Sequence, residues 1–312
     1  MKPLIVIAGP TGVGKSDLAV KLAKYIGGEI ISADSMQVYK ELNIGTAKIS
    51  EKDKSGIRHH LLDMFDPDFS CDVNLYKELV KKAVDEIISA GKIPILCGGT
   101  GFYIQAVTKD IDFTEEDDNT NIRQSLVEFY DENGEDILFE KLKSVDPESA
   151  ETIPKQNIKR VIRAIEFYEI HGKKISEHNA EQALKESPYN LSYFVLTHNR
   201  EILYERINKR VDKMMEDGLL DEVESLINKY DYNSQSGFYQ AIGYKELIDY
   251  LNGETSLERA VELIKQNSRH YAKRQLTFFK REKNAIWLDK SSMSDDCIFE
   301  TILNNLKEAK II

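Results

Sequence analysis

Residues 9–16 read Gly9-Pro10-Thr11-Gly12-Val13-Gly14-Lys15-Ser16, a complete phosphate loop of the pattern GxxxxGK[ST]. The glycines of such a loop let backbone N–H groups turn toward phosphate oxygens. Lys15 adds a positive charge, and the Ser16 hydroxyl is the group that these loops offer to Mg²⁺. The motif predicts a polyphosphate site, but it does not tell whether the ligand is a nucleotide.

The residues on both sides of the loop have the expected pattern. Residues 4–8 are apolar and read as a buried strand. After the loop, Leu18, Leu22 and Ile26 recur at i, i+4 and i+8, which predicts an amphipathic helix. Two glycines follow Ile26 and are expected to end that helix.

Strand and helix signals continue to alternate through the first hundred residues. Residues 29–33 and 93–97 are strand candidates, and residues 75–90 form a helix candidate with one apolar face. This alternation is typical of a parallel sheet covered by helices. We therefore predict an α/β fold, a P-loop NTPase-like parallel sheet flanked by helices.

The pattern changes near residue 110 and returns near residue 191. An acidic run at 115–118 is followed by helical patterns without a strand, and residues 191–196 again read as a strand. We therefore predict a mostly helical insertion domain. The predicted boundaries are 1–110 for the first part of the core, 111–190 for the insertion, and 191–312 for the rest of the core with a long basic helix and a C-terminal helix.

Composition restricts the class of protein. The chain of 312 residues has no apolar stretch near the roughly 18 residues that a membrane span needs. Its three cysteines are widely spaced, so neither a disulfide framework nor a zinc finger is indicated. The first strand begins close to Met1, without a signal-peptide pattern. These features predict a cytoplasmic protein with no membrane association.

The net charge of −11 argues against a globally basic nucleic-acid binder. However, residues 265–283 carry seven basic side chains and one acidic side chain. We call this segment the basic stripe. Two interpretations remain open at this point: a solvated helix face, which is the common case, or a surface for phosphates.

A polar turn follows the second strand candidate. Asp34, Ser35 and Gln37 come at the carboxyl end of residues 29–33, the edge where parallel sheets place their ligands. A carboxylate, a hydroxyl and an amide at this spacing can pair with the edge of a base. They can equally cap the next segment of chain, and the sequence does not decide between the two.

The third strand candidate ends in Gly98-Gly99-Thr100-Gly101. Many phosphate-loop kinases and ATPases carry an acidic residue at this place, and its absence weakens that interpretation without excluding it. The segment is either a glycine turn or a close backbone approach to a ligand, with the Thr100 hydroxyl as a donor.

Other residues that suggest chemistry have ordinary explanations. His59 and His60 are adjacent and have no further His or Cys at metal-binding spacing, so we interpret them as structural. Tyr39, Phe278 and Phe279 are more typical of core positions than of base stacking.

Taken together, the phosphate loop, ISADSMQVYKELNIGTAK at 31–48, CGGTGFY at 97–103 and KRQLTFF at 273–279 resemble the tRNA dimethylallyltransferase (tRNA isopentenyltransferase) family. The resemblance covers residues 3–288. It implies transfer of a dimethylallyl group from dimethylallyl diphosphate to N6 of the adenosine immediately 3′ of the anticodon, in tRNAs that read codons beginning with U. It also implies a cytosolic monomer that uses Mg²⁺.

The resemblance further implies roles for individual residues. The phosphate loop, Gly9 to Ser16, would hold the diphosphate rather than ATP, with Mg²⁺ at Ser16. Asp34 would be the general base, Thr100 would contact the bridging oxygen of the diphosphate, and Arg123 would lie near the reaction centre. The implied contacts with the anticodon stem-loop of tRNA are Asp34, Ser35, Met36, Gln37, Lys159, Arg160, Arg163, Gln240, Gly243, Tyr244, Lys245, Lys273, Arg274, Gln275 and Lys280.

The main alternative is a phosphate-loop nucleotide or small-molecule kinase that uses ATP. Such a kinase would share the loop and the α/β core, and it would need an arginine-rich lid over the terminal phosphate. A nucleotide-prenylating relative would need neither the insertion nor the basic stripe. A GTPase-like switch would need a base-specificity motif such as NKxD.

Overall fold

The computed structural model describes residues 1–112, 120–232 and 237–312. It divides into two compact units, residues 1–108 with 187–312, and residues 109–186. We call them the core unit and the inserted unit. The insertion predicted from the sequence, 111–190, overlaps the inserted unit, which begins two residues earlier and ends four residues earlier.

A six-stranded, fully parallel sheet organises the core unit, with the order β3-β2-β4-β1-β5-β6. The strands are β1 (Lys2–Ala8), β2 (Gly28–Ala33), β3 (His59–His60), β4 (Ile93–Gly98), β5 (Tyr189–Thr197) and β6 (Ile286–Asp289). Strands β2, β3 and β4 lie on one side of β1 in the sheet, and β5 and β6 lie on the other side. Parallel sheets bind ligands beyond the carboxyl ends of the strands at such a point, and here the phosphate loop follows β1.

Helices cover both faces of this sheet. Those of the core unit are α1 (Lys15–Ile26), α2 (Glu51–Lys54), α3 (Val73–Ser89), α4 (Gly101–Thr108), α9 (Arg200–Glu216), α10 (Leu219–Lys229), α11 (Tyr244–Leu251), α12 (Leu257–Phe279) and α13 (Asp295–Glu308). A short 3₁₀ turn spans Phe238–Gln240. The α/β fold predicted from the sequence is confirmed.

Strand β1 shows why the sheet is buried on both faces. Leu4, Val6 and Ala8 pack into one apolar cluster, and Ile5 and Ile7 pack into another on the opposite face. All five side chains are fully buried. Burial stabilises each large aliphatic side chain by about 1.5–3 kcal/mol, so the strand that carries the phosphate loop is held firmly.

The described part of the inserted unit contains only helices. They are α5 (Thr120–Val145), α6 (Pro147–Thr152), α7 (Ile158–His171) and α8 (Ile175–Ala183). The backbone of α5 is broken at Gly134, where φ is 78°. Leu138, Leu142, Val161 and Ile165 form the centre of a separate apolar cluster. The predicted acidic run at 115–118 lies outside the described residues.

Strand β3 was missed by the sequence interpretation. It is only two residues long, and its histidines pair in parallel with Ile30 and Ile31 of β2. The His60 Nε2 lies 2.6 Å from the Glu29 carboxylate, which also accepts from Lys92 at 2.7 Å. Burial raises the pKa of Glu29, but the bonds from Lys92 and His60 outweigh burial and lower it overall. The two histidines are part of the sheet edge.

Two further features concern the chain as a whole. Over the described ranges, no helix combines the length and the apolar character needed to cross a membrane. The three cysteines are all free thiols. Tyr39 and Phe279 are buried in the core and Phe278 packs against it, as expected for core aromatics.

Candidate active site

The phosphate loop joins β1 directly to α1. Gly9 has φ 148°, and a Cβ there would lie 2.5 Å from the carbonyl oxygen of Leu196 in β5. Gly14 has φ 91° and caps the first turn of α1. Because the first N–H groups of a helix have no intrahelical partner, the loop and the start of α1 present donors to an anion.

Lys15 lies in the concavity of this loop. Its Nζ donates to the carbonyl oxygen of Pro10 at 2.8 Å. Burial lowers the pKa of Lys15 to about 8; the charges of Cys97 and Asp34 oppose the shift, and that of Arg210 adds to it. A dianionic ligand would restore the cation, so anion binding and protonation of Lys15 are linked.

This linkage predicts a pH dependence. A bound anion favours charged Lys15 and raises its pKa in the complex, so binding takes up a proton above about pH 8. The affinity for inorganic pyrophosphate should therefore fall as pH rises through that value, by up to about tenfold per pH unit beyond the titration of the ligand itself. Titration calorimetry across this range measures the slope.

The control for this experiment is Lys15→Arg, because a guanidinium stays charged over the whole range. The arginine variant should show only the slope that comes from the pyrophosphate. Equal slopes for the two proteins would contradict the linkage.

Asp34 follows β2 beside the loop. Its Oδ1 accepts from the backbone N–H of Met36 at 2.9 Å and of Gln37 at 3.4 Å. The carboxylate therefore caps the turn, which was one of the two interpretations of this segment. It also lines the pocket described below, so the cap fixes the direction of a carboxylate that faces a ligand space.

Thr100 lies at the start of α4, next to Asp34. Its Oγ1 accepts from the backbone N–H of Ser35 at 3.1 Å, and it also hydrogen-bonds to Tyr271 of α12. Burial raises the pKa of Tyr271 to about 12, and the charge of Asp34 adds to the shift, so the phenol stays protonated. These bonds fix Thr100 between the Asp34 turn and α12.

Gln275 ties the phosphate loop to the end of β4. Its Oε1 accepts from the Thr11 N–H at 2.9 Å, and its Nε2 donates to the Gly99 carbonyl at 2.9 Å. A Cβ on Gly99 would collide with this amide, and one on Gly101 would collide with the Phe278 ring. The glycines after β4 are therefore needed where α12 packs closely against the chain.

These elements surround a cavity of about 240 Å³, which we call the central pocket. Its polar lining residues are Thr11, Asp34, Ser35, Arg210, Tyr271 and Arg274, and its larger apolar lining residues are Met36, Ile207, Val211, Met214, Ile242 and Ile264. Gly45, Thr46, Gln240, Ala241, Gly243 and Ser268 complete the lining. The pocket is thus bordered by Thr11 of the phosphate loop, by the Asp34 carboxylate and by apolar side chains.

Arg210 is a pocket residue that sequence analysis missed. Its guanidinium donates to the Thr11 hydroxyl at 3.2 Å and to the Thr46 carbonyl at 3.5 Å. Burial lowers its pKa and Asp34 opposes the shift, but an arginine keeps its charge. The helical spacing could have identified it, because Arg210 lies on the same face of α9 as the buried Ile207 and Val211, where a charged residue is unusual.

Three residues expected to contact tRNA have side chains that bond within the protein. Tyr244 is fully buried, and its hydroxyl donates to Glu222 at 2.7 Å. Gln275 is also buried and bonds the two loops described above. The Gln37 amide is occupied by Ser32 and Thr46. The polar atoms of these three side chains bond to the protein itself, and their contact with tRNA stays a prediction.

The basic stripe divides into two parts. Lys265 pairs with Asp212 at 2.7 Å, and Arg269 donates to Asn208 at 2.6 Å, so this part faces α9. Lys273 and Lys280 are exposed, and Arg274 is exposed at the pocket rim. Lys245 on α11 is exposed as well. Only the second part of the stripe is available to a large anionic partner.

The remaining predicted residues lie in the inserted unit. Lys159 and Arg160 are exposed on α7. Arg123 makes two bonds to the buried Glu166, at 2.9 and 2.8 Å, and Arg163 donates to the same carboxylate at 3.1 Å. Burying a carboxylate is costly unless it is paired, so Glu166 anchors both arginines.

The parallel sheet and the loop that follows β1 define a phosphate-loop protein whose loop borders a pocket with apolar lining. A profile of the family described as IPP transferase matches residues 37–282 of the chain. The chain belongs to this family.

Individual relatives agree with the family assignment. A tRNA dimethylallyltransferase from Lachnoclostridium phytofermentans is 51% identical over the whole of both chains. The crystal structure of a full-length tRNA isopentenylpyrophosphate transferase from Bacillus halodurans is similar, with a TM-score of 0.74, 41% identity and coverage of 99% of this chain and 97% of that one.

A eukaryotic dimethylallyltransferase captured acting on tRNA is also similar in structure, with a TM-score of 0.82 and 31% identity. This chain is covered completely and that chain to 80%. The family resemblance inferred from the motifs is confirmed, and the comparisons give no support to the ATP-dependent kinase alternative.

Proposed function

We propose that this protein transfers the dimethylallyl group of dimethylallyl diphosphate to N6 of the adenosine immediately 3′ of the anticodon in tRNAs that read codons beginning with U. The central pocket is the observation that carries the proposal. It is lined by Thr11 of the phosphate loop, by Asp34 and by six large aliphatic or methionine side chains. A diphosphate, a branched five-carbon group and an exocyclic amine need these three kinds of surface.

In the proposed reaction, the lone pair of adenine N6 attacks the first carbon of the dimethylallyl group. The bond from that carbon to the bridging oxygen breaks, and diphosphate leaves with the electron pair. The amine is a weak nucleophile because its lone pair is delocalised into the ring. Asp34 takes the N6 proton as the new bond forms. General base catalysis of this kind typically raises the rate by about 10²–10⁴-fold.

Charge builds on the leaving diphosphate as the bond breaks. Loop N–H groups, Lys15 and Arg210 would stabilise this charge, and the Thr100 hydroxyl would donate to the bridging oxygen. Thr100 suits this role because Ser35 and Tyr271 fix its position. Arg123 stays a predicted contributor near the reaction centre.

Mg²⁺ is part of the proposal. The Ser16 hydroxyl is exposed at the first turn of α1, and a phosphate-bound Mg²⁺ needs only one or two protein oxygens. The residues therefore fit the ion, with Ser16 as its ligand. When bound, the ion would neutralise part of the diphosphate charge.

The tRNA would be held by the exposed basic residues. In the core unit these are Lys245, Lys273, Arg274 and Lys280, together with Gln240 and Gly243 of the pocket lining. Lys159, Arg160 and Arg163 would contribute from the inserted unit. Phosphate contacts of this kind give affinity and register, whereas the pocket reads the base. The target base would leave its stack at a cost of a few kcal/mol.

The electrostatic part of this interface is testable through salt. Replacing Lys273 and Lys280 together with alanine should weaken tRNA binding and reduce the slope of log K against log salt by about 1–2, because each lost phosphate contact removes about 0.7–0.9. Filter binding at several salt concentrations measures this. The matched double variant Lys24→Ala with Lys307→Ala removes two exposed lysines on α1 and α13 and should keep the slope. Identical slopes in the two variants would mean that the basic stripe does not contact tRNA.

Two broader expectations accompany the proposal. We propose that the protein acts as a monomer, as the family resemblance implies. The reaction is placed in the cytoplasm because its proposed substrate is tRNA.

The position of transfer is tested with an anticodon stem-loop RNA. Replacing the adenosine 3′ of the anticodon with purine riboside removes the exocyclic amine and should abolish product formation. The same replacement at another adenosine of the loop is the control and should leave the product intact. Normal product from the first RNA would refute the assignment of the acceptor atom.

A further inference from the structure

The Glu222 carboxylate holds a turn that lies far from it in sequence. Its Oε2 accepts from the backbone N–H of Asn43 at 3.0 Å and of Ile44 at 2.8 Å. Its Oε1 accepts from the N–H of Gly45 at 3.1 Å and from the Tyr244 hydroxyl at 2.7 Å. Three successive backbone N–H groups thus converge on one carboxylate, the arrangement in which proteins bind anions.

Tyr244 completes this contact. Its ring packs against Gly45, where a Cβ would lie 2.5 Å from the ring. Burial raises the pKa of Tyr244, and the charge of Glu222 adds to the shift, so the phenol remains a donor. A carboxylate offers about four acceptor positions, and here four donors occupy them.

The turn that Glu222 holds is a wall of the central pocket. Gly45 and Thr46 line the pocket, whereas Glu222 does not. The Thr46 carbonyl accepts from Gln37 Nε2 at 3.2 Å and from Arg210 Nη2 at 3.5 Å. The position of this carbonyl, one residue beyond the N–H groups bound by Glu222, therefore sets where the guanidinium lies.

Arg210 continues the chain of contacts to the phosphate loop. Its Nη1 donates to the Thr11 hydroxyl at 3.2 Å. Its Nη2 donates to the Thr46 carbonyl, so these two acceptors, together with the charge of Asp34, orient the guanidinium. If the turn shifts, the guanidinium loses one of its two fixed points.

We propose that Glu222 is a positioning residue for the transfer reaction. It fixes the turn at residues 43–46, and through the Thr46 carbonyl it directs the Arg210 guanidinium toward the diphosphate site. The inference rests on the function proposed above, because that function makes the diphosphate the ligand of Arg210. A purely structural role would instead stabilise the fold without a specific dependence on Arg210.

The test is a double-mutant cycle read by titration calorimetry with inorganic pyrophosphate. Glu222→Gln keeps the size of the side chain but replaces one acceptor oxygen with a donor that faces N–H groups. We expect it to weaken pyrophosphate binding about tenfold when Arg210 is present and less than about twofold in an Arg210→Ala background, since coupled residues are not additive. Glu224→Gln, an exposed position on the same helix, is the control and should bind like the unchanged protein.

The outcomes separate the two proposals. If the unchanged protein binds pyrophosphate and Glu222→Gln weakens binding equally with and without Arg210, the positioning role is wrong and the proposed function stands. If the unchanged protein does not bind pyrophosphate, both fail. Should Glu222→Gln not fold, Tyr244→Phe removes one donor and should weaken binding about two- to fivefold with the same dependence on Arg210. An additive result with Tyr244→Phe would equally overturn the inference.

Discussion

Replacing Asp34 with asparagine is expected to lower kcat for prenyl transfer by about 10²–10⁴-fold, the usual contribution of a general base. Asparagine keeps an oxygen that can accept from the Met36 and Gln37 N–H groups, so the turn should persist. It cannot take up the N6 proton. Steady-state kinetics with labelled dimethylallyl diphosphate and unmodified tRNA measures the change.

Two further measurements, on pyrophosphate binding and on a second variant, allow the loss of kcat to be interpreted. Pyrophosphate binding should be nearly unchanged in Asp34→Asn, because the phosphate loop is intact. Asp34→Ala removes both the base and the cap of the turn, so it should be at least as inactive and also less stable by about 1 kcal/mol, the typical worth of such a side-chain to backbone bond. Near-normal turnover of Asp34→Asn would contradict the assignment of Asp34 as the base.

The second large effect is expected from Lys15→Met, which removes the cation inside the phosphate loop. Charge-assisted bonds to phosphate are each worth about 1.5–3 kcal/mol, so pyrophosphate affinity should fall by about 10- to 100-fold or more. Methionine fills a similar volume, and since burial already depresses the pKa of Lys15, the fold should lose little. Calorimetry and thermal melting measure the two properties.

Lys24→Met is the matched control for this prediction. It removes the same charge from the last turn of the same helix, at an exposed site away from the loop. Its pyrophosphate affinity should stay within about twofold of the unchanged protein, because exposed charges at that distance are screened. Equal losses in the two variants would mean that net charge, and not the loop cation, holds the ligand.

The sequence determined the core of the fold because its strands are buried on both faces. Such strands read as continuous apolar runs, and β1, β2 and β4 were located to within about two residues. Strand β3 escaped because two residues carry no periodicity, and its pairing depends on the neighbouring strand β2. Strand β5 was also located to within two residues, and its first two residues, Tyr189 and Asn190, have no clear apolar pattern.

The site was predictable where the motif is local. The phosphate loop, the Asp34 turn and Thr100 each belong to one short segment, and the structure brings them together at one edge of the sheet. Arg210, Tyr271 and Glu222 act across the fold, from helices more than a hundred residues after the loop, and no short pattern marks them. Tyr244 and Gln275 belong to conspicuous motifs, yet their polar atoms bond within the protein.

The most direct test of the proposed function is incubation of the purified protein and Mg²⁺ with unmodified tRNA and either labelled dimethylallyl diphosphate or γ-labelled ATP, followed by nucleoside analysis. The account predicts label from the prenyl donor on adenosine N6 and none from ATP. Transfer or hydrolysis of the ATP label, without prenylation of tRNA, would contradict it.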